Sequence, residues 1–147
     1  MREAISNVLA TMFYLPVQFV ENNFTLLEWF TDAQSLLGAT LSFHGPSMGR
    51  ISLLIPVNIL SEITANFLGR NEGEINEEQK RDTVKEILNM IGGHMFSFVD
   101  KGGLFKIGLP ELIDEDDLSG HKLGEIKGEI ILIETEDNHL AAGIAFE

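Results

Sequence analysis

The sequence predicts an α+β domain, with two long helices side by side on one face of a mostly antiparallel sheet and an internal duplication. Three observations carry this. Two segments, 2–14 and 77–99, repeat apolar residues with the helical period. Short extended stretches bounded by turn-forming residues follow each of them. The two helical segments also match one another at a constant offset. Helices followed by runs of strands make an α+β arrangement rather than an alternating parallel one.

The elements follow in order. Over 2–14, Ala4, Ile5, Val8, Leu9, Met12 and Phe13 share one side, and Pro16 stops the helix. Val17, Gln18, Phe19 and Val20 have short extended character. Strands are expected at 36–43 and 50–56, joined by the turn formers His44, Gly45, Pro46, Ser47, Met48 and Gly49. A helix at 58–68 ends at Gly69. Asn76 is a candidate N-cap for the second long helix, where Glu77 and Glu78 suit the positive end of the helix dipole. Gly102 and Gly103 stop it. Residues 104–109 read as a strand and 113–120 as an acidic loop holding Asp114, Glu115, Asp116 and Asp117. A final strand pair, 124–135 and 140–146, turns at Glu136, Asp137, Asn138 and His139.

The repeat aligns Glu3 with Glu86, Met12 with Met95 and Phe13 with Phe96, an offset of 83 residues. Ile5 then pairs with Leu88, and Val8 with Ile91. Two similar helices, each followed by strands, suggest duplication and a pseudo-two-fold core. The copies differ where it matters for chemistry: the second has Asn89 where the first has Ser6. Ser lacks the planar amide and its reach, so the first helix reads as silent. Asn7, one residue along, is turned by about 100° off that face.

A chain of 147 residues reads as one domain spanning 1–147, large enough for a proper core, and 44% hydrophobic content with ten Phe argues against disorder. The net charge of −13 and pI of about 4.6 argue against nucleic-acid binding and against docking on anionic lipid. There are no cysteines, hence no disulfide, thiol nucleophile or Cys-based metal site. No apolar run approaches the ~18 residues of a membrane span. Glu3, Ser6, Asn7 and Thr11 interrupt the N-terminal stretch with helical period, so it reads as a core helix of a cytoplasmic protein rather than a signal peptide.

The second long helix carries the candidate site. Measured from Glu86 at about 100° per residue, Asp82 falls near −40°, Asn89 near −60°, Gly93 near −20° and Ser97 near +20°. Val84, Leu88, Ile91, Met95 and Phe98 cluster on the opposite side, between about +120° and +200°. One face is therefore apolar, and the other carries two carboxylates, an amide and then a glycine. Gly92 and Gly93 each cost about 1 kcal/mol relative to Ala in a helix interior, more than a merely solvated face needs.

Rival sites are poorly supported. His44, His94, His121 and His139 lie in different elements, none makes a His-x-x-x-His pair, and Glu136-x-x-His139 falls in a turn rather than on a helix, so no metal site is expected. The acidic run at 114–117 lacks the ligand spacing and central Gly of an EF-hand loop. Gly45-Pro46-Ser47-Met48-Gly49 has the Gly-x-Ser-x-Gly spacing, but it falls in the turn expected between two strands rather than between a strand and a helix, so it is no nucleophile elbow, and no phosphate-cradling loop is present. His94 reads as a partly buried structural residue at the edge of the polar stripe.

Asp82-x3-Glu86-x2-Asn89, on a long amphipathic helix within a duplicated chain, resembles the signature of the CheC/CheX/FliY family of chemotaxis phosphatases. In that family a Pro follows somewhat over twenty residues on; here Pro110 comes after twenty, about two residues short. The single Glu-x-x-Asn pair makes the chain similar to the CheX branch. The resemblance implies a CheC-like fold and hydrolysis of the aspartyl phosphate on a CheY-like response-regulator receiver domain. It implies that Asn89 orients the attacking water and that Glu86 anchors to a receiver cation. Asp82 would make a rim contact, and Gly92 and Gly93 would let the partner backbone approach. No cofactor of its own is implied, since the receiver supplies Mg²⁺. The resemblance also raises a homodimer formed by strand pairing. The alternative function is a non-catalytic binding or adaptor module for a phosphorylated receiver. Asn89 separates the two, because a pure binder has no need of an amide there.

Overall fold

The computed structural model describes residues 1–21, 23–30, 35–99, 102–118, 126 and 128–147, with the backbone alone at 98 and 99. The expected place of Phe98 on the apolar face, His121, and the start of the strand expected at 124–135 fall outside the described residues.

Among the described residues seven strands form one sheet in the order β1 (Gln18–Val20), β6 (Glu129–Glu134), β7 (His139–Phe146), β3 (Gly49–Pro56), β2 (Leu36–His44) and β4 (Lys106–Ile107). β5 (Glu111–Leu112) also pairs with β2. Every pairing is antiparallel. The duplication is visible in this order. Each half supplies a hairpin, β2–β3 or β6–β7, and the two hairpins meet at the central β3–β7 pair. Each half also supplies a short strand that crosses over: β1 pairs with the second half's β6, and β4 with the first half's β2. The strand order is preserved when the two halves are exchanged, with the β3–β7 pair at its centre.

Alternation along the strands sorts their side chains to two faces. Leu37, Ala39, Leu41 and Phe43 of β2, Ile51, Leu53 and Ile55 of β3, and Ile131 and Ile133 of β6 are buried on one face under three helices. These are α1 (Arg2–Met12), α3 (Val57–Leu68) and α4 (Glu77–Val99). Phe13, just past α1, stacks on Phe67 of α3 with ring centroids 4.7 Å apart. α3 ends where Gly69 turns left-handed at φ 67° and returns its N–H to Ala65 O.

The opposite face holds a smaller core that the sequence reading did not anticipate. Leu36, Leu54, Leu132 and Ala141 lie under Leu26, Trp29 and Phe30 of the first half and Leu118 of the second. α2 (Leu26–Trp29) is a single turn held by a capping box: Thr25 Oγ1 accepts from the Glu28 N–H, and the Thr25 N–H donates to Glu28 Oε1. Trp29 Nε1 donates to Leu140 O at 2.8 Å, which fixes this turn on β7. In the second half the acidic stretch is not a plain loop. It forms a 3-10 turn, Glu115–Leu118, whose Leu118 is buried.

The strand expected at 104–109 is shorter than its apolar content suggests. Only Lys106 and Ile107 pair as β4, and Leu104 and Leu109 are exposed. Pro110 has no N–H to give to a ladder, and pairing resumes after it as β5.

Candidate functional site

The sequence of α4 fixes which way its side chains point. Asn76 caps it reciprocally with Gln79: the Gln79 N–H donates to Asn76 Oδ1 at 2.8 Å, and the Asn76 N–H to Gln79 Oε1 at 2.9 Å. Val84, Ile87, Leu88 and Ile91 are fully or almost fully buried against the sheet. Burying each such side chain is worth about 1.5–3 kcal/mol, so the rotation of the helix is strongly set. Thr83 is buried, and its hydroxyl donates to Gln79 O at 2.7 Å. The remaining side of the helix faces outward.

On that outer side Asp82, Asn89, Gly93 and Ser97 are exposed and Glu86 is half-buried. Among the described residues neither the Glu86 carboxylate nor the Asn89 amide has a hydrogen-bond or ion-pair partner. Asn89 stands one helical turn beyond Glu86, in the i, i+3 relation that makes side chains neighbours. Asp82 is engaged: its Oδ1 lies 3.6 Å from Lys85 Nζ. This pair was not picked out from the sequence, although an acid three residues before a base on a helix is a readable signal.

One expected contact residue is displaced. Gly92 is buried, and a Cβ there would stand 2.5 Å from Leu41 Cδ2 and 3.4 Å from Ile51 Cδ1. It lets α4 approach β2 and β3 closely and does not belong to the partner face. At 100° per residue it lies about 120° from Glu86, which already separates it from the stripe. Gly93 is on the outer face, with open space where a Cβ would be.

The neighbouring residues complete the picture. His94 is half-buried at the α1–α4 seam, its Nε2 3.3 Å from Asn7 Nδ2. Asn7 therefore faces α4. On α1 Glu3 is exposed and Ser6 half-buried. Pro110 is half-buried between β4 and β5. Among the described residues no group of three or more His, Asp or Glu is arranged to hold a metal ion, and no helix is long and apolar enough to cross a membrane. Chemically, the outer face of α4 offers an amide that can donate and accept together, beside a carboxylate with no partner among the described residues.

An α+β sheet with this interleaved duplication defines the class, and the comparisons with known proteins name it. The family model described as "Chemotaxis phosphatase CheX" matches residues 37–134, and the chain belongs to that family. The chain is similar to the chemotaxis protein CheX from Vibrio vulnificus, with a TM-score of 0.75 and 22% identity over 99% of this chain and 93% of that one. It is also similar to Borrelia burgdorferi CheX, solved in a CheX–CheY–BeF3–Mg complex, with a TM-score of 0.70 and 15% identity over 99% of this chain and 94% of that one. Thermotoga maritima FliY aligns with a TM-score of 0.60 and 12% identity, over 97% of this chain and 82% of that one. At these identities the likeness is one of fold. No curated protein matches the chain.

Proposed function

We propose that this protein hydrolyses the aspartyl phosphate of a CheY-like receiver domain by presenting the outer face of α4 to the receiver's phosphorylation site. The observation that carries the reading is the exposed amide of Asn89 one turn beyond Glu86, neither with a partner among the described residues. Membership of a chemotaxis phosphatase family supports it. So does the capture of CheY by the Borrelia burgdorferi relative, a protein of the same fold.

An acyl phosphate is already reactive, and the receiver brings its own Mg²⁺. What remains is a water held in line with the phosphorus. Asn89 can accept a hydrogen bond from that water through Oδ1 while donating through Nδ2, so it orients without acting as a base. The water oxygen attacks phosphorus, the bond from phosphorus to the aspartyl oxygen breaks, and the carboxylate leaves with the electron pair. The water's proton passes to solvent or phosphate. Glu86 pairs with a receiver cation and sets the depth to which Asn89 reaches. No covalent intermediate on this chain is needed. The cell compartment that fits this partner is the cytoplasm.

Orientation of this kind supplies several kcal/mol, and about 2.7 kcal/mol is already a hundredfold in rate. The test is Asn89→Ala, with phosphate loss from a labelled receiver and binding of that receiver measured on the same sample. Asn89 is exposed, so its truncation opens no cavity. The expected result is a loss of about a hundredfold or more in dephosphorylation with binding retained. Full activity in the variant would overturn the mechanism. Binding without hydrolysis in the wild type would make the protein a phospho-receiver adaptor.

A further inference from the structure

We infer that Lys85 is a selectivity determinant, a cation beside the docking amide that favours a phosphorylated receiver over an unphosphorylated one. The inference rests on the reading above that the outer face of α4 meets the phosphorylation site.

The face presents a charge problem. Asp82 and Glu86 lie four residues apart on the same stripe, so two carboxylates meet whatever approaches. A phosphoryl group carries between one and two negative charges near neutral pH. Even with Glu86 engaged by a receiver cation, the added negative charge of a phosphoryl group is disfavoured beside Asp82 unless a cation on this face offsets it. A useful phosphatase needs the phosphorylated receiver to be the better ligand.

Lys85 supplies the missing charge where it acts. It stands four residues before Asn89, the spacing that makes helical side chains neighbours, while Glu86 stands three before it. Around the helix Asn89 falls between the two, with Lys85 about 40° to one side and Glu86 about 60° to the other. Asp82 draws the Lys85 ammonium to within 3.6 Å, on the outer side of the helix. Lys85's side chain is 35% exposed against 65% for Asp82. An exposed pair of this kind adds little to folding, which leaves its charge free to act on a partner. The other cations of this stretch are not equivalent. Lys80 is tied to Glu77 at 3.0 Å with only 13% of its side chain exposed. Arg81 lies about 140° around the helix from Glu86.

The test compares affinities for one CheY receiver domain, with and without beryllofluoride and Mg²⁺ as the phosphoryl mimic. The ratio of the two Kd values is the readout. Lys85→Gln is expected to cut the preference for the loaded form by about threefold to tenfold, as for one charge acting across a hydrated interface. Affinity for the unloaded form should stay within about twofold, and Lys85→Arg should restore the ratio. Raising salt should erode the preference of the wild type more than that of Lys85→Gln. Thermal melts of both variants should match the wild type. An unchanged ratio in Lys85→Gln overturns the inference, and so does an equal weakening of both forms, which would make Lys85 a general contact. A wild type that binds the loaded form without hydrolysing phosphate refutes the proposed catalysis, yet the ratio still decides Lys85. A wild type that binds neither form refutes both.

Discussion

Leu41 on β2 and Gly92 on α4 touch so closely that no side chain fits between them: a Cβ on Gly92 would lie 2.5 Å from Leu41 Cδ2. Leu41 is fully buried and Ile51 stands behind the same point, so Leu41 has little room to turn away. One residue on, Gly93 is exposed with nothing near its missing Cβ. The two glycines therefore make opposite predictions. Gly92→Ala gains about 1 kcal/mol of helix propensity but incurs overpacking of about 1–3 kcal/mol, so its melting temperature should fall. Gly93→Ala has only the gain, and its melting temperature should rise. Equal shifts in the same direction would contradict this placement of the glycines.

Glu86 is half-buried but has no partner within the described chain, so its loss should disturb binding more than folding. Glu86→Ala should keep stability within about ±0.5 kcal/mol. Steady-state assays should find a higher receiver concentration for half-maximal rate, with a smaller change in the maximum. Unfolding of the variant would mean that Glu86 serves the fold rather than the partner.

Ser6 occupies the counterpart of Asn89 on α1, and a hydroxyl does not offer the paired donor and acceptor of an amide. Ser6→Ala should leave dephosphorylation within about twofold of wild type. A loss matching that of Asn89→Ala would mean that α1 carries a second working site.

Most of this architecture is legible in the sequence because its larger elements obey one simple period each. α4 begins after Asn76 as its cap predicts, and β2 and β3 match their expected ranges to within a residue at each end. The repeat points to the duplicated sheet because both copies bury the same helical face. The misses have physical causes. α2 is a single turn, too short for any periodicity, and only the Thr25-x-x-Glu28 spacing betrays it. The second core needs Trp29 and Leu118, far apart in the chain, to converge on the other side of the sheet. Leu104 and Leu109 suggest a longer strand by their apolarity, yet both face solvent. At the candidate site, the shared outward face of Asp82, Glu86 and Asn89 is readable from helical spacing. Gly92 is misassigned when it is grouped with its neighbour Gly93, although helical spacing already sets it about 120° from Glu86. The Asp82–Lys85 ion pair is readable only from its i, i+3 spacing, which also occurs where no pair forms.

The crossing of β1 and β4 bears on how such a chain can arise. Either half by itself leaves its hairpin without its outer neighbour and its short strand without a ladder. A half-length ancestor meets those needs only by exchanging strands with a second copy of itself, as an obligate symmetric dimer with two identical helical faces. Fusing the copies into one gene removes the requirement that both faces stay the same. One helix can then keep its amide while the other drifts to serine, and co-expressed fragments split between the halves should reassemble where either fragment alone does not fold.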